Sequence, residues 1–369
     1  MLFKDYSTKY GKSFIWSLSA FLFDNLGSIF KKYKINNKNK PKRILVIRKD
    51  EIGDSILSIP MYESIKKTYP KSHLSVLVGK PAASLLEGNP YIDEIISIET
   101  IRSSKKSFIL QYFNLIDKLK KEKFDLAIDP KGSILNVLLM YLIKAKDRIS
   151  YWNVSGGKPL LTLPVTYKEE EHDINANLHL LNAYGIKSAN NIPKIYFSSS
   201  DRKNAEPFLK ILPKEYCCVY MTPTSVYKSW PDDRWKSLFS MFPEVNFVIM
   251  ARESEREVLE SKFKEIKNAK ILCADKLKTV ALIFSKAKSI VSVDGGMLHL
   301  AWISNPKTIA LFGQVDLKLL KPLRGKVICY CPESEQGFNR KPIESTKINK
   351  YMIQISPKEV GDYLLEYLR

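Results

Sequence analysis

The sequence predicts an α/β protein of two similar domains, each a parallel sheet with helices on both faces. Three observations carry that prediction. The chain has 369 residues, more than one ordinary core organises, and its 45% hydrophobic and 11% aromatic content is enough for two. Short apolar runs alternate with runs of helical period, the pattern of a doubly wound sheet. A polar stretch, SSSDRKNAEP at 198–207, separates two such series.

Before the first series lies a segment of different character, 1–42. Residues 1–43 hold ten Lys/Arg against two Asp, a local 10 − 2 = +8 within a total of +20. Ile15, Leu18, Leu22, Leu26, Ile29 and Tyr33 recur at three- and four-residue steps, which places them on one helical face. The apolar run 14–23 is too short to span a bilayer. The segment reads as a basic amphipathic helical extension that lies on an anionic membrane surface or docks on its own protein.

A domain over 43–205 follows, with strand-like runs at 44–48, 74–78, 94–98 and 126–128 and helix-like runs at 55–68, 108–121 and 134–144. The second domain, 206–350, has strand-like runs at 217–221, 247–250, 270–272, 290–293 and 308–312. Its helices begin near Pro231, Ser254, Leu277 and Gly296, and a last helix occupies 351–369. Two such domains facing each other place ligands at the carboxyl ends of the strands.

Composition narrows the chemistry. The cysteines (Cys217, Cys218, Cys273, Cys329 and Cys331) match no zinc or redox spacing, and a reducing cytoplasm fits them. There is no G-x-x-x-x-G-K-[ST] and no G-x-G-x-x-G, which removes the main signature of an NTPase or a dehydrogenase. There is also no Asp-x-Asp, the usual metal-chelating signature of metal-dependent nucleotide-sugar enzymes. The positive charge suits phosphorylated substrates or anionic lipid. No recognition motif for nucleic acid accompanies it, so nucleic acid is not an expected partner.

Three segments carry candidate chemistry. In RILVIRKDEIGDSILSIP a strand gives way to Gly53-Asp54 and then to a helix. Gly53 permits close approach and a positive φ. Asp54 at a helix start is either an N-cap or a general base, and local sequence does not separate the two. In MTPTSVYKSWPDDRW, residues 221–235, Thr222, Thr224 and Ser225 offer hydroxyls and Lys228 a cation, a set suited to a diphosphate. In SIVSVDGGMLHLAW a strand ends at Asp294, and Gly295-Gly296 open a helix whose free amides can meet a phosphate. Met297 and His299 follow in its first turns.

Together with FDLAIDPKGSILNVLLMYLIKAKDRISY and HDINANLHLLNAYGI, these segments resemble glycosyltransferase family 9, the ADP-heptose:lipopolysaccharide heptosyltransferases. The resemblance runs from about Pro41 to the C-terminus. It implies a GT-B architecture: two Rossmann-like domains facing across a cleft, acceptor on the first and nucleotide-sugar on the second. The last helix is expected to pack back towards the first domain. The implied reaction is an inverting, metal-independent transfer needing no cofactor, from ADP-heptose to a lipid-linked lipopolysaccharide or lipooligosaccharide core. Its implied place is the cytoplasm, peripheral on the inner face of a bacterial inner membrane. By matching position Asp54 is the base beside Gly53, and Thr224 and Lys228 contact the donor diphosphate. Asp294, Gly295, Gly296, Met297 and His299 hold sugar and phosphates, and Glu255, in preference to Glu253, meets the ribose. Two features depart from the usual pattern. Gly295 stands where the family usually has Thr or Ser, which opens the donor to another nucleotide-sugar. Lys66 and Lys67, at the end of the first helix, are candidates for phosphates on the acceptor. A reading from a different class is a non-catalytic basic protein that binds membrane or nucleic acid.

Overall fold

The computed structural model describes residues 40–98, 105–168, 171–336 and 347–369, together with positions 21, 24, 25, 27, 34 and 35; side chains are described from residue 112 in the segment that starts at 105. The chain forms two compact units, one up to Lys194 and one from Ile195.

The first unit runs β1 (Arg43–Arg48), α1 (Ile52–Leu57), α2 (Ile59–Thr68), β2 (His73–Gly79), α3 (Lys80–Leu86), β3 (Glu94–Ile98), α4 (Lys105–Lys121), β4 (Leu126–Asp129), α5 (Ile134–Leu142), β5 (Asp147–Tyr151), α6 (Trp152–Ser155), β6 (Leu163–Val165) and α7 (Asp173–Ala183). Its sheet has the order β3-β2-β1-β4-β5-β6, with every described pair parallel. Ile44, Leu45, Val46 and Ile47 are all fully buried, as a central parallel strand covered on both faces requires.

The second unit runs α8 (Ser199–Lys210), β7 (Cys217–Tyr220), α9 (Asp232–Met241), β8 (Phe247–Ala251), α10 (Arg256–Phe263), β9 (Ala269–Cys273), α11 (Leu277–Lys286), β10 (Ser289–Val293), α12 (Gly296–Ser304), β11 (Thr308–Phe312), α13 (Leu317–Leu320), β12 (Lys326–Cys329), α14 (Lys350–Gln354) and α15 (Pro357–Leu368). Its order, β12-β11-β10-β7-β8-β9, is the first sheet's topology repeated. The chain reverses its direction of strand addition between β1 and β4 in one sheet and between β7 and β10 in the other. Those two switch points are where crevices open at the carboxyl edge of such sheets.

The division falls at 194/195, where 205/206 was expected, because α8 packs along α11 and the buried Lys278 ammonium pairs with Asp201 across that contact at 3.0 Å. The last helix packs against α9, β10 and β11 of the second unit. Lys307 donates to the Tyr367 carbonyl at 2.9 Å, and Lys326 pairs with Glu366 at 2.9 Å.

Part of the N-terminal extension is described, and that part docks on the first unit. Asp24 is fully buried and accepts the Gly157 and Lys158 amides at 2.8 and 2.9 Å. Phe21 packs on the core around Val137 and Trp152. Gly27 lies so close to Pro159 that a Cβ would come within 2.5 Å of its ring. The apolar face expected from Ile15 to Tyr33 lies outside the described residues. Among the described residues no helix is long and apolar enough to cross a membrane.

Candidate active site

In the second unit, β7 delivers Met221 and Thr222 to the carboxyl edge, and a 3₁₀ turn at Val226–Lys228 carries Lys228 towards the neighbouring strand. Its ammonium lies 2.6 Å from the Asp294 carboxylate, which follows β10, so the pair bridges the switch point. Gly295 is the N-cap of α12 and has no side chain to occupy the amides of that first turn. The first amides of a helix lack intrahelical partners and carry its partial positive charge. A Cβ at Gly295 would meet nothing within 4 Å, so space as well as donors is available there. His299, one turn on, is buried, and its Nδ1 accepts from Trp302 Nε1 at 3.2 Å. That bond leaves the proton of a neutral ring on Nε2.

Beside this lies a cleft of about 250 Å³ whose lining includes Thr222, Val226, Trp230, Glu255, Val258 and Lys262. Val226 and Val258 are more than half exposed, apolar walls of the kind a nucleobase covers. Trp230 is locked beneath by an edge contact with Trp235 (centroids 4.8 Å apart) and a 3.1 Å bond to the Ile355 carbonyl. The structure separates the two candidate glutamates. Glu255 accepts from the Thr222 hydroxyl at 3.1 Å and the Arg252 amide at 2.9 Å. Burial works against its charge, but Arg252 outweighs burial and holds the carboxyl below the usual range. Glu253 is exposed and paired with Arg256 at 2.6 Å. Thr224 is exposed on the same loop as Lys228.

In the first unit Asp54 is not an N-cap. Glu51 holds that place, and Asp54 is the third residue of α1. Gly53 is buried in the same helix, so the positive φ expected there is not used. Arg48, with its side chain only 3% exposed, orients Asp54: Nη2 reaches Oδ1 at 3.4 Å and Nε donates to the Asp54 carbonyl at 3.2 Å. The Asp54 side chain is 31% exposed, open to a substrate on one side. Behind it, Ser58 donates to the Asp54 carbonyl at 3.0 Å, and Asn177 from α7 donates to Ser58 Oγ at 3.2 Å.

Arg48 also meets Asp50 at 3.4 Å, and Asp50 pairs with Lys131 beyond β4. This switch point is therefore bridged as well, but the turn that leads into its helix is occupied by a carboxylate of the protein itself. The fully buried Asp129 carboxylate accepts the Lys131 and Ser133 amides at 3.2 and 2.9 Å, Asn136 Nδ2 at 2.9 Å and the Ser150 hydroxyl at 2.9 Å. The bend that aims those amides needs Gly132, with φ +72° and room for no Cβ, which would come 2.7 Å from the Tyr151 carbonyl. Burial pushes the Asp129 carboxyl up, against its hydrogen bonds. Burial also pushes Lys49 down to about 8, while Asp129 and Asp50 oppose it.

Lys66 and Lys67, expected at the acceptor, are engaged within the protein. Lys66 binds Asp93 at 2.8 Å and the Ser72 carbonyl at 2.7 Å, and Lys67 pairs with Glu63. Both end α2, which runs back to the amino edge of the sheet, away from Asp54. Arg48, Asp129 and Asn177 escaped the sequence reading. Their one signal was the Asp-Pro-Lys-Gly-Ser turn at a strand end, where an aspartate can accept amides of the turn that follows it.

The family profile described as glycosyltransferase family 9 (heptosyltransferase) matches residues 112–348. Lipopolysaccharide heptosyltransferase 3 of Escherichia coli is 21% identical over 294 residues, 75% of this chain and 85% of that protein. Lipooligosaccharide heptosyltransferase 2 of Haemophilus influenzae is 22% identical over 347 residues, 88% of this chain and 99% of that protein. The solved E. coli ADP-heptose lps heptosyltransferase II aligns with a TM-score of 0.71 at 18% identity, covering 88% of this chain and 98% of its own. It has the same GT-B fold of two parallel-sheet domains. The chain belongs to glycosyltransferase family 9, the heptosyltransferase family, and is a glycosyltransferase, not a non-catalytic basic binding protein.

Proposed function

We propose that this enzyme transfers a heptose from ADP-heptose to a lipid-linked lipopolysaccharide or lipooligosaccharide core, with inversion and without a metal. The observation that carries the reading is the Lys228–Asp294 pair set beside the glycine-opened start of α12. A cation and unspent helix amides together can stabilise the charge that builds on a departing diphosphate. Glu255 and the apolar walls beside it suit a ribose and a base. Asp54 accepts the proton of the acceptor hydroxyl as that oxygen attacks the anomeric carbon and the carbon–oxygen bond to the nucleoside diphosphate breaks. The Arg48 ion pair fixes the orientation of the Asp54 carboxylate, and proton transfer to it is coupled to departure of the diphosphate. The enzyme works on the cytoplasmic side of an inner membrane, and the N-terminal extension contributes to its attachment.

The gap beside Gly295 favours one second reading, a donor whose sugar differs from heptose on the same nucleotide. Thermal-shift titration and turnover with a panel of nucleotide-sugars decide between them. The first reading expects ADP to stabilise more than UDP, GDP or CDP, and ADP-heptose to be turned over fastest. Preference for UDP overturns both, and faster turnover of another ADP-sugar overturns the first alone.

A further inference from the structure

Helix α5 is apolar on two sides. Its inner side, with Val137, Leu139 and Met140, is buried in the core. Its outer side presents Leu135, Leu138, Tyr141 and Leu142, which are 48, 37, 49 and 39% exposed, and Phe113 on the adjoining α4 is 64% exposed. Positions 135, 138 and 142 are spaced as one stripe along the helix. A surface helix ordinarily turns polar side chains to water there, and a continuous apolar stripe marks an interaction surface.

The charges around the stripe identify its partner. Residues 113–148 contain eight Lys/Arg, and Lys118, Lys120, Lys121, Lys123, Lys144 and Lys146 are exposed. Of the five Asp/Glu in that span, Asp125, Asp129 and Asp147 are buried and Glu122 is paired with Arg43. Apolar side chains within a basic field match an anionic bilayer surface, into whose interface leucines and tyrosine enter while lysines meet headgroups. A second copy of this chain would set like charges against each other across a two-fold contact.

We propose that the outer face of α5, with the exposed lysines at the ends of α4 and α5, is a docking surface for anionic lipid. This rests on the reading of the acceptor as lipid-linked. Helix α5 starts at the carboxyl edge of β4, the edge that carries Asp54, and its lysine-bearing end lies at the amino edge, so a bilayer along its stripe runs from one edge of the sheet to the other.

The test is co-sedimentation of the full chain with phosphatidylethanolamine/phosphatidylglycerol vesicles and with phosphatidylcholine vesicles. Wild type is expected to bind the anionic vesicles preferentially. The exposed-site double variant Leu138→Glu/Leu142→Glu is expected to lower partitioning about tenfold, and Lys121→Glu/Lys144→Glu at least fivefold, with the salt dependence reduced. Unchanged binding of the leucine variant overturns the proposal, as does equal binding to neutral vesicles. A wild-type dimer that the leucine variant dissociates in sedimentation equilibrium also overturns it, in favour of a second copy. Turnover of a lipid-free acceptor should be the same in variant and wild type. Failure of wild type to use ADP-heptose would sink the proposed reaction while leaving the vesicle result readable.

Discussion

The two switch points have the same strand order and the same kind of bridge, Lys131–Asp50 in one unit and Lys228–Asp294 in the other, yet they are prepared for opposite tasks. In the first unit the buried Asp129 carboxylate takes up the amides of Lys131 and of Ser133, the N-cap of α5. In the second, the corresponding helix begins at a glycine that offers its amides to whatever binds. An anion site needs unspent donors, and a fold alone does not supply them. What remains at the first switch point is one partly exposed carboxylate, Asp54, held by a buried guanidinium. On the proposed reading, one sheet presents a base and its copy receives an anion.

The largest expected effect breaks the first half of this contrast. Asp54→Asn should cut transfer about a thousandfold while ADP affinity stays within about twofold. Retained turnover would remove Asp54 from the chemistry. Lys228→Met attacks the other half and should lower kcat about a hundredfold, because its charge is needed most as the diphosphate leaves. A change confined to KM would make it a ground-state contact. Asp129→Ala should destabilise the fold by about 2–3 kcal/mol, since it orphans buried donors, and added sulfate or phosphate should restore part of the loss. Denaturant titration with and without the anion reads this, and the absence of any anion effect would mean that those amides are no latent anion site. Glu255→Gln should weaken ADP binding about tenfold with little change in kcat. Because the folded carboxyl titrates below its ordinary value, ADP binding should be full above the usual glutamate range and fall as pH drops through the lowered value. The smallest effect belongs to Lys67→Ala, whose side chain is paired with Glu63 and which should leave acceptor KM unchanged.

The fold was legible because both halves announce themselves through contiguous patterns: apolar runs of strand length, helical periods between them and a polar break. The two loops that meet at Lys228 and Asp294 were legible for the same reason, since Thr222 to Lys228 and Asp294 to His299 are each local. Arg48, Asp129 and Asn177 were not, because each acts by reaching another strand or helix, and sequence spacing does not record which strands become neighbours. Gly53 shows the limit of residue-type reasoning: a glycine before a helix suggested a left-handed turn, and the helix simply begins earlier. Lys66 and Lys67 illustrate what topology adds to spacing. A helix leaving the carboxyl edge ends at the amino edge, so its last turn lies far from Asp54 at the start of α1.

The central claim is that the second switch point alone receives the nucleotide. Photolabelling with 8-azido-ADP, followed by peptide mapping, tests it directly. The label is predicted in peptides spanning 221–262, which contain the cleft beside Glu255. Label in peptides covering 48–58 or 129–142, around Asp54 and Asp129, would contradict it.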